Sequence, residues 1–246
     1  MIKFDLQPKP TKLTEEWQEQ QTKEFKNNPQ KSVWNIAWLK EAVLVKSHKK
    51  CCYSEIRLDE ESKYMEIDHF HPKILYKDEV LLWENLLPSC KKCNTAKGDH
   101  DTVKEPIINP FVNNPKDYLY FKNYRYYPLN NNQLGRITID ILDLNDREHF
   151  SIPRCKLGDK ICERLEDIYD DIENIFNPKK QNKYIKKIKG LLKEGDRKEE
   201  YSALISTIIL SDENFQYVEN QLKTNNLWDN ELEKLKQELQ YCALLK

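Results

Sequence analysis

Cys90 and Cys93 form a C-x-x-C pair, and Cys51 stands about forty residues ahead of them. No other feature limits the fold as much, because a tetrahedral zinc drawing cysteines from two separated loops forces those loops together. The start MIKFDLQPKP has no apolar core long enough for a signal peptide, and no run approaches the roughly 20 apolar residues that span a bilayer, so a cytoplasmic chain is expected. There the seven cysteines should be reduced, and a close cluster points to metal before disulfides.

Asp68, His69, Asn85, Asn94 and Lys97 gather around this staple. Hydrolysis of a phosphodiester needs a Lewis acid on the phosphate, a base for water and charge relief at the leaving oxygen. Asp68 and Asn94 offer the hard oxygen ligands that Mg²⁺ or Mn²⁺ prefers. His69 is the candidate base, because an imidazole is substantially neutral at cytoplasmic pH. Neighbours on a regular strand point to opposite faces, so Asp68 and His69 share a site only if the strand breaks between them, and Pro72 fits such a break. Asn85 is expected to bridge backbone groups of the next loop and so hold His69 in one orientation. Lys97, three residues after Asn94, is the candidate contact to a substrate phosphate.

A lone Asp-His pair or a lone C-x-x-C carries little weight, since such cysteines are also ordinary core or reactive thiols. The ordered set is more specific: IDHFHP, WENLLPSC and CNTAK. It resembles the HNH endonuclease motif, in which an Asp-His pair ends a strand, an Asn follows in the loop and a Cys-Asn-x-x-Lys segment opens a helix. More narrowly the chain is similar to the HNH subunit of the Septu and retron-associated anti-phage systems, the PtuB group, through VWNIAWLKEAVL, INPF, RITIDILDLNDREHF and EYSALISTIIL in the flanks. The resemblance implies an α+β fold, mainly helical, with an inserted ββα-metal element. It also implies nuclease activity in anti-phage defence, a catalytic Mg²⁺ or Mn²⁺, a structural Zn²⁺ on Cys51, Cys90 and Cys93, and an ABC or SMC-like ATPase partner of the PtuA type. DNA is the first expectation for the substrate, ahead of RNA. Members of the group begin the motif with C-x-Y-C, whereas Ser54 stands in the second cysteine position here. Three completions are open: Cys52 as a ligand, water on a three-cysteine site, or apolar packing without zinc.

The rest of the chain reads as scaffold. Residues 1–50 form an N-terminal helical segment, with Thr14 capping one helix and Ile36, Leu39 and Val43 striping a second. Residues 51–110 form the HNH element, including a β-like piece at Tyr64 to Ile67. Residues 111–155 form an irregular or β connecting segment, in which RITIDILDLN alternates as a short strand. Residues 156–246 are helical, with Ser211 as a cap and an amphipathic last helix bearing Trp228, Leu232, Leu235 and Leu239, which reads as partly a docking surface for the ATPase.

His71 is expected to face solvent or support its neighbours; His48, His100 and His149 carry no role, and Cys155, Cys162 and Cys242 read as buried thiols. Tyr118, Tyr120, Tyr124, Tyr126 and Tyr127, interleaved with Lys122 and Arg125, fit base stacking and strand packing equally. The net charge of −1 gives no global nucleic-acid signal, although Lys179 to Lys193 holds seven lysines and no acid. That run reads first as a solvated helix face and second as a nucleic-acid stripe. The competing function class is a zinc-stabilised adaptor that binds nucleic acid or the ATPase without cutting.

Overall fold

The computed structural model describes residues 1–59 and 65–246; the expected strand residue Tyr64 lies outside them. Helix α1 (Glu15–Asn27) begins where the Thr14 side chain accepts from Trp17 N at 3.2 Å, with Glu15 and Glu16 on the positive end of the helix dipole. Helix α2 (Ala37–Val45) follows. Phe25, Leu39 and Val43 from these helices pack on Ile67 and Leu86, so the N-terminal segment is the floor beneath one face of a hairpin.

That hairpin pairs β1 (Met65–His69) with β2 (Leu86–Cys90), antiparallel, in a register running from Met65↔Cys90 to His69↔Leu86. Pro88 is tolerated because each strand of a two-stranded sheet keeps a free edge, and its carbonyl accepts from Cys52 N at 2.9 Å. Helix α3 (Lys91–Lys97) leaves β2 directly, with the Cys90 sulfur accepting from Cys93 N. A second hairpin, β3 (Leu119–Lys122) and β4 (Arg125–Pro128), turns at Asn123 and Tyr124, both at positive φ as a two-residue hairpin turn requires. Tyr126 is buried here, while Tyr120 and Tyr127 stack on each other outside.

RITIDILDLN is not a strand. Its first six residues lie in helix α4 (Gln133–Ile141), nucleated by the Asn132 side chain accepting from Gly135 N. The β-branched residues suggested alternation, but burial of Gly135, Thr138, Ile139 and Leu142 follows the helical period, and tertiary packing outweighs propensity. Gly135 itself is demanded by packing, because a Cβ there would sit 2.3 Å from the Tyr118 carbonyl oxygen.

A π-helical turn (Arg147–Ser151) leads into α5 (Ile152–Asp170), then α6 (Gln181–Lys193), α7 (Ser202–Ser211), α8 (Glu213–Thr224) and α9 (Asn230–Cys242). The α8 cap is Asp212, one residue beyond the expected Ser211. These helices enclose their own core, including Ile161, Leu165, Ile188, Ile205 and Val218. Leu232 and Leu239 are fully buried in it, with Trp228 and Leu235 packed at its edge, so the apolar stripe of α9 faces its own chain rather than a free docking surface. Beyond α9, Leu244 donates to Thr207 Oγ1 (2.8 Å) and accepts from Phe121 N (3.0 Å), entering a core shared with Cys51, Cys90, Cys93 and Tyr126. Cys242 is buried as expected, whereas Cys155 and Cys162 are half-exposed. The chain around Cys51 is tied to α7 through buried Lys50, which donates to Ser202 Oγ (3.0 Å), itself donating to Glu55 Oε2 (2.7 Å). Among the described residues no helix is long and apolar enough to cross a membrane.

Candidate active site

The strand β1 continues in register through His69, so the break falls after it, at His71 and Pro72, and the Asp68 and His69 side chains leave on opposite faces. Asp68 turns toward α3. Its Oδ2 accepts from the Tyr53 hydroxyl (2.6 Å) and its Oδ1 from Lys97 Nζ (2.9 Å), and the same ammonium also donates to the His69 carbonyl (2.7 Å). All three side chains are buried. Burial, and then the Asp68 charge, push the Tyr53 pKa well up, so its hydroxyl stays a donor. Lys97 is therefore not a solvent-facing group in this arrangement; it is the counter-ion of Asp68.

Glu66 shares the Asp68 face of β1, two residues earlier, and its carboxylate accepts from Asn94 Nδ2 at 2.7 Å. Asn94 thus uses its amide nitrogen on Glu66 and keeps Oδ1 available. Two contacts thus lay α3 against this face of β1, Lys97 on Asp68 and Asn94 on Glu66.

His69 lies on the other face, where Trp34 meets its ring edge-on with centroids 4.6 Å apart. Its Nε2 is 2.9 Å from the Val80 carbonyl oxygen and so carries the proton, which leaves Nδ1 with its lone pair. Burial first, then the Lys73 charge, lower the His69 pKa to about 4. The ring is neutral at neutral pH. Lys73 Nζ lies 5.3 Å from the Trp34 ring centre.

Asn85 closes the loop between the strands. Its Oδ1 accepts from His71 N (2.7 Å), and its Nδ2 donates to the carbonyls of His71 and Glu79 (both 3.1 Å). Glu79 directly precedes Val80, so this clamp fixes the carbonyl that fixes His69. The His71 ring is half-exposed with Nδ1 2.6 Å from Glu79 Oε2, a supporting contact to the same loop.

The three cysteines converge as well: the sulfurs of Cys51, Cys90 and Cys93 all lie within 4.8 Å of one another and could hold a metal ion. Cys52 is outside this group, whereas Ser54 Oγ is 3.7 Å from the Cys90 sulfur. Burial alone would push the Cys51 thiol up, but hydrogen bonds from Cys90, Cys93 and Ser54 outweigh it and hold its pKa well below the ordinary thiol value. Cys93 is pushed up, by burial first and then by its contacts with Cys51 and Cys90.

Sequence reasoning missed Tyr53, Glu66, Trp34 and the Val80 carbonyl. Strand alternation could have found Glu66, which must share a face with Asp68. Nothing in residue type marks a carbonyl.

Residues 50–100 match the HNH endonuclease family. The whole chain is 38% identical over 241 residues to Septu protein PtuB of Bacillus thuringiensis, an alignment covering 96% of this chain and 92% of that protein.

Proposed function

Because the chain belongs to the Septu PtuB family and carries an HNH endonuclease domain at residues 50–100, we propose that it is a metal-dependent endonuclease hydrolysing nucleic-acid phosphodiesters, DNA before RNA, in anti-phage defence. The hold on His69 carries this reading. A dry, neutral imidazole with one nitrogen fixed on a carbonyl and the other unprotonated meets the requirements of a base that takes a proton from water. Asn85 is the positioning residue for that base, through the Val80 carbonyl.

Asp68 and Asn94 fit a hard divalent ion such as Mg²⁺ or Mn²⁺. Both offer oxygen, Asn94 Oδ1 is left available by the Glu66 contact, and Asp68 has one bond on each oxygen where each can accept two. Such an ion, when bound, supplies Lewis-acid stabilisation to the phosphate and the leaving oxygen. Lys97 neutralises Asp68 at rest and is the group assigned to a substrate phosphate once Asp68 holds a cation. Cys51, Cys90 and Cys93 are assigned to a structural zinc, with the Ser54 hydroxyl beside them and Cys52 not a ligand.

An ABC or SMC-like ATPase of the PtuA type is the expected partner. Asp68 and His69 are only 2% and 4% exposed, so the isolated chain should cut weakly and the complex strongly. That burial also favours the second reading, an adaptor held by zinc that binds without cutting. Nicking of supercoiled plasmid by the purified complex with Mg²⁺ or Mn²⁺ decides between them: cleavage abolished by EDTA is expected, and intact plasmid under every metal condition leaves the adaptor. Metal analysis tests the cysteines independently. Cys93→Ser should lower the melting temperature, and less than about half an equivalent of zinc in the intact protein would overturn the structural site.

A further inference from the structure

The lysine run divides in two. Lys187 pairs with Asp171 (3.2 Å), Lys189 with Asp229 and Glu231 (2.6 and 2.7 Å), and Lys193 with Glu231 (3.1 Å), so these three fasten α6 to its neighbours. Lys179, Lys180, Lys183 and Lys186 are exposed, and among the described residues none has an acidic partner within 4 Å. Lys180, Lys183 and Lys186 line a cleft of about 560 Å³ with Asn174, Tyr184 and the paired Asp171 and Lys187. Phe176, three residues before Lys179, is 60% exposed.

Charge sharpens this contrast. The interval 179–193 carries seven lysines and no acid against a chain total of −1, so the remaining residues sum to −8. A stretch of seven lysines without an acid attracts a polyanion even on a chain whose total is slightly negative. Residues 179 to 186 span about 10 Å at helical rise, three steps of roughly 3.4 Å and so the reach of about four successive phosphates along a strand. Lysines left without acidic partners, at the positive end of a 13-residue helix and three residues after an exposed aromatic residue, combine the electrostatic and stacking parts of a single-strand contact.

We infer that Lys179, Lys180, Lys183 and Lys186 form a second nucleic-acid contact, remote in sequence from the candidate active site, which grips the backbone of a single strand while Phe176 stacks on an unpaired base. The ligand class rests on the nuclease reading, but the contact does not require cleavage. The ridge gives a protein of near-zero net charge its own hold on substrate.

The full chain should bind a labelled 30-nucleotide mixed-sequence DNA strand in anisotropy titrations from 50 to 300 mM KCl without added divalent metal. Replacing all four lysines by Gln should weaken binding at least tenfold at 50 mM and reduce the salt slope by about 3, at roughly 0.7 for each phosphate no longer neutralised. Four Arg replacements should restore both. Lys189→Gln with Lys193→Gln, whose lysines are already paired, should leave the slope unchanged, and Phe176→Ser should narrow the preference for single strand over duplex. Unaltered binding by the fourfold Gln protein, or no binding by the wild type, would overturn the contact. So would a fourfold Gln protein that keeps DNA but loses poly-glutamate, which assigns the ridge to an acidic partner. Plasmid nicking by the purified complex, run in parallel, separates the claims: a chain that binds through the ridge but never nicks in the complex sinks the nuclease alone, and one that nicks but ignores the ridge sinks the contact alone.

Discussion

The two faces of β1 are held by different physics. Toward α3, Asp68 sits in a charged contact with Lys97 and Tyr53, and Asn94 is tethered to Glu66. Toward α2, His69 sits in a neutral setting of the Trp34 edge and the Val80 carbonyl. One face surrounds a carboxylate with two donors, and on the other burial keeps an imidazole neutral. Alternation along one strand supplies both environments one residue apart, and Lys97, bonded to the Asp68 carboxylate and the His69 carbonyl, touches both residues.

His69→Ala should break the comparison most. A drop of about a hundredfold to ten-thousandfold in cleavage is expected, as for removal of a positioned base. Mn²⁺ affinity, read by calorimetry, should stay the same because the Asp68 face is untouched; near-normal turnover in the purified variant would end the assignment.

Lys97→Met tests the charged face. It leaves a buried carboxylate with one hydroxyl donor, and breaking a buried pair costs about 3–5 kcal/mol, visible as a lower urea midpoint. The double change Asp68→Asn with Lys97→Met should recover most of that stability, and Mn²⁺ should restore the single variant more than the wild type. Equal stability of wild type and Lys97→Met would show that the pair does not hold this face.

The neutral face has a pH signature of slightly smaller size. The His69 pKa is about 4 in the folded chain against about 6.5 for an ordinary imidazole, so between those values the unfolded chain binds more protons and stability falls as pH falls. In metal-free protein this amounts to a decrease of about 3 kcal/mol between pH 6.5 and 4, with no further decrease from this group below that. His69→Gln should lack this component; a variant with the wild-type pH profile would refute it.

Asn85→Ala should give the smallest effect. It orphans His71 N and two carbonyls in a half-buried loop, at about 1–3 kcal/mol, and lowers turnover by releasing the Val80 carbonyl while Mn²⁺ affinity holds. A parallel fall in turnover and metal affinity would move Asn85 to the metal side.

How much of this was legible follows from what residue type can encode. Helices α1 and α5 to α9 were readable because caps and apolar periodicity are written in side chains, and the cysteine convergence because spacing alone announces it. Helix α4 was misread because β-branched residues mimic alternation, and only the Asn132 cap and the close approach of Gly135 to Tyr118 decide otherwise. The α9 stripe was read as partly a docking surface because amphipathicity does not say whose core it enters. At the site, Asp68, His69, Asn85, Asn94 and Lys97 were named from type and spacing, but their division between two faces of one strand needed the register. The Lys97 pairing needed a distance between residues 29 apart.

The insertion of Leu244 into the core that holds Cys51, Cys90 and Cys93 has a consequence in time. Residues 51–97 are made first, yet the core around them is completed only by residues made some 147 positions later. At about 5–20 residues per second, a growing chain carries this element unfinished for roughly 7 to 30 seconds. The cysteine cluster therefore gains its last packing neighbour only once residue 244 has been translated.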